Sequence, residues 1–284
     1  MCTAALGALL WLGHFPSLTV VGLGLITVFA GYTAVYAFND VVGYRSDKRK
    51  LQAGARRPAG DCPDIDAVFV RHPMAQGFLS FREGLVWSLA WALLALIGAY
   101  LLNPWCVLVF IAGCLLEAVY CLMWKISPLR TLVSGVVKTA GAIAAVVAVD
   151  PNPSFAFLLV LFLMLFFWEI GGQNVPNDWV DLEEDKRFHA QTVPIRLGMN
   201  WARGIILGSV LLAMVFNLIL LPLSQISFAR PHVLAFLGVG LYFLLWPALR
   251  LYKTKESTDA MALFNKASYF PLALLTVVVI ELLI

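Results

Sequence analysis

Residues 17–47 read SLTVVGLGLITVFAGYTAVYAFNDVVGYRSD. Up to Phe38 the stretch carries no charged side chain. As a helix it is long enough to cross the roughly 30 Å hydrocarbon layer of a bilayer. At Asn39 its character changes, and Asp40, Arg45 and Asp47 follow with a glycine, Gly43, among them. The whole chain is built in this way. Its 284 residues are 61% hydrophobic and 13% charged, with a mean hydropathy of +0.85. A soluble domain carries about 25% charged residues. The weak ten-residue alternation of a transmembrane barrel is absent. The sequence therefore predicts an all-α, polytopic transmembrane bundle.

Apolar segments fall at about 1–13, 16–38, 84–102, 105–123, 131–149, 154–172, 202–222, 232–250 and 267–284. That makes about nine helices, the first of them short of a full span and readable as a truncated one. The connections are of two kinds. Those at 39–83, 124–130, 173–201 and 251–266 are charged, and those between them are short and nearly uncharged. Of the 20 Lys and Arg, all but Arg230 lie in the charged connections or in the helix ends beside them. Excess basic residues mark the cytoplasmic side. The expectation is a multi-pass integral membrane protein, in the inner membrane if bacterial, with its charged loops facing the cytoplasm. We read 1–284 as a single transmembrane domain with cap loops 39–83 and 173–201.

A second acidic cluster lies in VPNDWVDLEEDKRFHAQTVPIRLG, residues 175–198. Aligned on the Asn-Asp pairs, Asn177-Asp178 is followed by Asp181 and Asp185, and Asn39-Asp40 by Gly43 and Asp47. The shared offsets i, i+3 and i+7 place each row on one helix face. Both clusters end helices that run in the same direction and stand four helices apart. They belong on one membrane face, as in a tandem repeat of a four-helix unit. Two facing rows of carboxylates repel each other, and divalent cations relieve the repulsion. Mg²⁺ favours oxygen donors and commonly bridges carboxylates to substrate phosphates. Two such rows on one diphosphate would ionise a diphosphate ester, because the metals offset the charge that develops on the leaving group. The bland reading, two solvated helix ends, does not account for the matched register.

These motifs resemble those of the UbiA superfamily of intramembrane prenyltransferases. The resemblance rests on Asn39-Asp40-Val-Val-Gly43-Tyr-Arg-Ser-Asp47, on Asp181-Leu-Glu-Glu-Asp185 with the following KRFHAQTVPIRLG, and on RHPMAQGFLSFREGL at 71–85. It covers nearly the whole chain. It implies Mg²⁺ as cofactor, held by Asp40, Asp47, Asp181 and Asp185, with Asn39, Asn177 and Asp178 in support. It further implies a prenyl diphosphate donor, Arg71 with Lys125 or Arg130 on the diphosphate, and a lipophilic or aromatic acceptor, as in quinone biosynthesis. The chain departs from the family pattern at Gly43, which stands where the middle aspartate of the first motif is expected. It departs again in the long insertion between Asp47 and Arg71.

Other polar residues carry weaker expectations. Glu117 and Glu169 lie in apolar segments and should face the bundle interior. Glu117 could pair with a cation or serve as an acceptor-side base. Asn174 and Gln173 could orient the metal-binding carboxylates or the acceptor. Lys138 is a further candidate for the diphosphate. Lys48, Arg49, Lys50, Arg56 and Arg57 form a cluster that reads as touching anionic lipid headgroups or folding the loop. The histidines His14, His72, His189 and His232 are scattered and suggest no metal site. The five cysteines form no metal-binding or redox pair and read as packed thiols. The partners expected are a prenyl diphosphate, its acceptor and the lipid bilayer, with no nucleic acid. The rival readings are a transporter or lipid-binding protein that uses the acidic rows for a cation, and a family member with reduced activity or a non-aromatic acceptor.

Overall fold

The computed structural model describes residues 1–52 and 72–284 and is helical throughout, without strands among the described residues. A short apolar helix, α1 (Cys2–Leu12), precedes eight helices long and apolar enough to cross a membrane. Five come first: α2 (Leu18–Gln52), α3 (Phe81–Leu102), α4 (Pro104–Lys125), α5 (Arg130–Val149) and α6 (Phe155–Val180). Two short helices follow, α7 (Leu182–Arg187) and α8 (Val193–Arg196). The last three spans are α9 (Met199–Leu223), α10 (Arg230–Thr254) and α11 (Ser257–Leu283).

Local chemistry sets the element ends on the uncharged side. Gly13 closes α1 in the left-handed conformation (φ 71°), its N–H reaching Leu9 O. Asn103 alone separates α3 from α4 and accepts the Trp105 N–H at 3.0 Å, with Pro104 at the first helical position. On the charged side Ser80 and Glu83 form a capping box that starts α3.

Three boundaries differ from the sequence expectation. Helix α2 does not stop at Phe38 but runs to Gln52, so the whole first acidic row lies on one continuous helix. The connection 251–266 is almost entirely helical, because α10 ends at Thr254 and α11 begins at Ser257. In the second cluster, by contrast, the helix breaks at Asp181 between α6 and α7. Asp178, Asp181 and Asp185 therefore do not share one unbroken helix.

The packed core belongs to the second half of the bundle. Phe157, Leu161 and Leu165 of α6 meet Ile206 and Val210 of α9 and Phe270 of α11, all of them buried. Half of the apolar window of α6 is buried, against 11% for α2. Helix α6 is thus central, and α2 is a wall whose inner face meets open space. Within α6, Glu169–Asn174 forms a π-helical turn. A Cβ at Gly171 in this turn would stand 2.8 Å from Ile206 O and 2.9 Å from Val210 N. The α6 and α9 backbones touch there, and only glycine fits. Such π turns re-aim side chains, often at functional sites. Large apolar side chains face outward on every span, among them Trp87, Trp105, Trp201 and Trp246. This is the surface of a multi-pass integral membrane protein.

Candidate divalent-cation and diphosphate site

A cavity of about 800 Å³ opens between the two halves of the bundle. Its walls are apolar, with Ala8, Val28, Gly31, Phe110, Ala144 and Val149 among their residues. Its charged end gathers Asn39, Gly43, Asp47 and Lys50 from α2, and Asn174, Asn177, Asp178, Asp181 and Asp185 from the second cluster. The two acidic rows, far apart in sequence, face one space. Parity had placed them on one membrane face.

The first row is held at both ends. The Asn39 side-chain amide donates to Glu117 Oε1 of α4 at 2.6 Å. Asp40 lies off the cavity lining and is held by His72, which belongs to the lining and whose Nδ1 stands 2.9 Å from Asp40 Oδ1 and 3.3 Å from Asp47 Oδ2. The hydrogen bond with Asp40 raises the His72 pKa, and burial opposes the shift. These three residues are the one group of metal-ligating side chains close enough to share an ion among the described residues. The histidines were expected to be scattered, and for His72 the structure corrects this. No local signal could reveal it, because the contact bridges 32 positions.

The second row is buried more deeply. Trp124 Nε1 donates to Asp185 Oδ1 at 3.2 Å, and the Asn177 amide donates to Asp181 Oδ2 at 3.4 Å. Burial, reinforced by the charge of Asp181, pushes the Asp185 carboxyl up to about 6. Asp178 is 3% exposed, and its Oδ2 has no hydrogen-bond partner. A buried carboxylate oxygen without a donor is costly unless a cation or a ligand meets it. The donor set, aspartate oxygens at one end of a cavity, is of the kind a hard divalent cation takes, and of these residues Asp40 and Asp47, with His72, are the ones near enough to share one ion.

Around the rows the chain supplies positive charge and polar bracing. Arg130 of α5 is buried; its guanidinium donates to the Tyr120 hydroxyl and lies 4.3 Å from that ring centroid, while its Nε has no partner. Asn174 accepts from Thr131 Oγ1 at 2.8 Å and donates to Tyr120 at 3.2 Å. Ser134 donates to Glu169 Oε1 at 2.7 Å. The π turn aims both Glu169 and Asn174 at α5. Gln173 instead donates to Phe264 O of α11 at 3.0 Å.

Of the alternatives Lys125 and Arg130, only Arg130 lines the cavity. Lys125 lies against the Trp124 ring, 5.4 Å from its centroid. Lys138 lines the cavity deeper in α5 and donates to the Tyr36 hydroxyl at 3.4 Å. Lys50, expected either at lipid headgroups or in folding the loop, turns inward. It lines the cavity, pairs with Glu184 at 3.0 Å and lies 4.2 Å from the Trp124 ring centroid. Arg71, Arg56 and Arg57 lie outside the described residues.

Comparison with known proteins agrees with this architecture. The model of the UbiA prenyltransferase family matches residues 1–270. No curated protein matches the chain significantly. The apo structure of a UbiA homolog from Aeropyrum pernix K1 superposes with a TM-score of 0.75 at 18% identity, over 99% of this chain and 95% of that one. A UbiA homolog from Archaeoglobus fulgidus bound to GPP and Mg²⁺ gives 0.67 at 15% identity, over 98% of this chain and 95% of that one. A structure of digeranylgeranylglyceryl phosphate synthase gives 0.68 at 14% identity, over 99% and 92%. At these identities the likeness is one of fold.

Proposed function

The chain belongs to the UbiA prenyltransferase family, and from that membership we propose that it transfers an isoprenyl group from a prenyl diphosphate to a lipophilic or aromatic acceptor within the membrane. The observation that carries this reading is the single cavity with two acidic rows at one end and apolar walls beyond. A diphosphate head and a prenyl tail have opposite solvation needs, and this cavity meets both. Archaeoglobus fulgidus UbiA homologs bound to Mg²⁺ with GPP or DMAPP support the same donor class and the same ion for this chain.

In this reading Asp40, Asp47, Asp181 and Asp185 hold Mg²⁺, which offsets the negative charge of the departing diphosphate when bound. Asn39, Asn177 and Asp178 orient those carboxylates. Arg130, fixed by Tyr120, presents its guanidinium to the diphosphate, and Lys50 lines the same cavity. Arg71 is assigned to the diphosphate on the family resemblance alone. The apolar walls hold the tail and exclude water from the allylic centre. The C–O bond breaks with its electron pair leaving on the diphosphate, and the allylic carbon then bonds to the acceptor. The proton displaced from the acceptor passes to a nearby carboxylate. The acceptor enters from the cap, or laterally from the bilayer. Residues 1–284 act as one domain whose charged end, with segments 39–83 and 173–201, faces the cytoplasm.

The transporter reading expects interrupted helices in corresponding positions of both halves. Helix α2 carries its acidic row without interruption, which favours the enzyme. The test is Mg²⁺-dependent diphosphate release by the purified protein from prenyl diphosphates of several lengths, with candidate acceptors screened by mass spectrometry. Absence of both turnover and Mg²⁺-dependent donor binding at every chain length would sink the proposal.

A further inference from the structure

The two rows differ in one position, and the structure shows what occupies the difference. Gly43 stands where Asp181 stands in the second row. A Cβ at Gly43 would lie 2.7 Å from Asp47 Oδ2. The Asp47 carboxylate therefore leans into the space that a side chain at position 43 would fill. There it meets His72, which comes from a different part of the chain.

The segment bearing His72 is tightly built. His72 itself has φ 53°, a conformation uncommon outside glycine. Its carbonyl accepts Gln76 N, the carbonyl of Pro73 accepts Phe78 N, and that of Met74 accepts Gly77 N. Met74 is 5% exposed and sits over Gly84 of α3, where a Cβ would come within 2.0 Å of the Met74 sulfur. The imidazole thus projects from a compact turn clamped onto the start of α3.

We propose that Asp40, Asp47 and His72 form a mixed carboxylate–imidazole site for a transition-metal dication, with His72 Nδ1 as the protein ligand that replaces a carboxylate at position 43. The assignment rests on reading the rows as cation-binding, and goes beyond it in the ligand and in the metal class. Adjacent ligands on an octahedral dication at roughly 2.1 Å stand about 3 Å apart. The separations of 2.9 and 3.3 Å from Nδ1 to the two carboxylate oxygens match that spacing. All the ligand atoms lie within 4.8 Å of one another. A nitrogen donor disfavours Mg²⁺, which takes oxygen, and favours the series from Mn²⁺ to Zn²⁺. The second row, all oxygen, keeps its preference for Mg²⁺. The first row would then accept a transition-metal dication in place of the Mg²⁺ assigned above.

Mn²⁺ is the probe. The full chain in lipid nanodiscs, without prenyl diphosphate, is loaded with Mn²⁺ and measured by pulsed EPR. The expected result is a nitrogen coupling that changes on ¹⁵N-histidine labelling and disappears in His72→Ala. His72→Ala should also weaken Mn²⁺ binding by at least about tenfold while leaving Mg²⁺ affinity within about threefold. His72 is half-exposed, so the variant is expected to fold, as size-exclusion elution checks. In His72→Ala, the further change Gly43→Asp should recover Mn²⁺ affinity without the nitrogen coupling. Mn²⁺ bound to the wild type with no histidine coupling would overturn the His72 assignment and leave the cation-binding reading of the rows standing. A wild type that retains neither Mn²⁺ nor Mg²⁺ would overturn both.

Discussion

Lys50 of α2 and Glu184 of α7 form an ion pair at 3.0 Å that joins the helix bearing the first acidic row to the segment bearing the second. The partners have very different consequences. Both side chains are about a quarter exposed, so the pair itself contributes under about 1 kcal/mol. Glu184→Gln should therefore leave donor KM within about threefold. Lys50→Met also removes a cation from the cavity. It should weaken donor binding by about 1.5–3 kcal/mol, roughly 10- to 150-fold. Donor titrations on the two variants check this, and equal effects would show that Lys50 acts only through Glu184.

Asp181→Ala and Asp185→Ala should each lower Mg²⁺-dependent diphosphate release by at least about 100-fold, the scale of losing one charge-stabilising group in a water-poor site. Wild-type rates in either variant would refute its assigned role. Trp124→Phe keeps the ring and removes the 3.2 Å hydrogen bond to Asp185. It should cost only a few-fold, because the carboxylate remains in place.

Glu117 is buried on α4 and accepts the Asn39 amide at 2.6 Å. Glu117→Ala leaves that amide without its acceptor, at a cost of about 1–3 kcal/mol. Glu117→Gln keeps an acceptor oxygen in place and should cost less. Thermal unfolding in detergent should rank the two variants in that order. Equal melting temperatures would show that the Asn39 contact is not what Glu117 supplies.

The Asp185 carboxyl sits at about 6, above its ordinary value, because it is buried and lies beside Asp181. Its protonated form is therefore favoured in the cation-free site below pH 6, and a cation must displace that proton. Mg²⁺ affinity should be level above about pH 6 and fall by up to tenfold per pH unit below it. Calorimetric titration across pH 5–8 measures the slope. Asp185→Asn should remove the break near pH 6; a break that persists in this variant would assign it to another group.

The number of spans and the shared face of the two rows are legible in the sequence, because hydropathy and charge parity are read along the chain segment by segment. Contacts between segments are not. The i, i+3, i+7 spacing describes α2 well, but in the second cluster a turn at Asp181 interrupts the helix. The glycine pair Gly171-Gly172 and Pro176 are the local signs that this segment is irregular. Lys125 and Arg130 look equivalent in sequence. A 3-10 turn at Met123–Lys125 advances about 120° per residue rather than 100°, and Lys125 comes to rest on Trp124 outside the cavity. His72 carries no signal at all, since its partners lie on α2, beyond a long insertion.

Helix α2 has 35 residues. At 1.5 Å each it is about 50 Å long, against a hydrocarbon layer of roughly 30 Å. The end of α2 that carries the first row thus extends beyond the length of a span, and Glu117, His72 and Glu184 brace it there. The second row hangs from α6 through a π turn and a broken helix. Tilting, the way a lone helix answers a thinner or thicker bilayer, would here have to break the Asn39–Glu117, Asp40–His72 and Lys50–Glu184 contacts together.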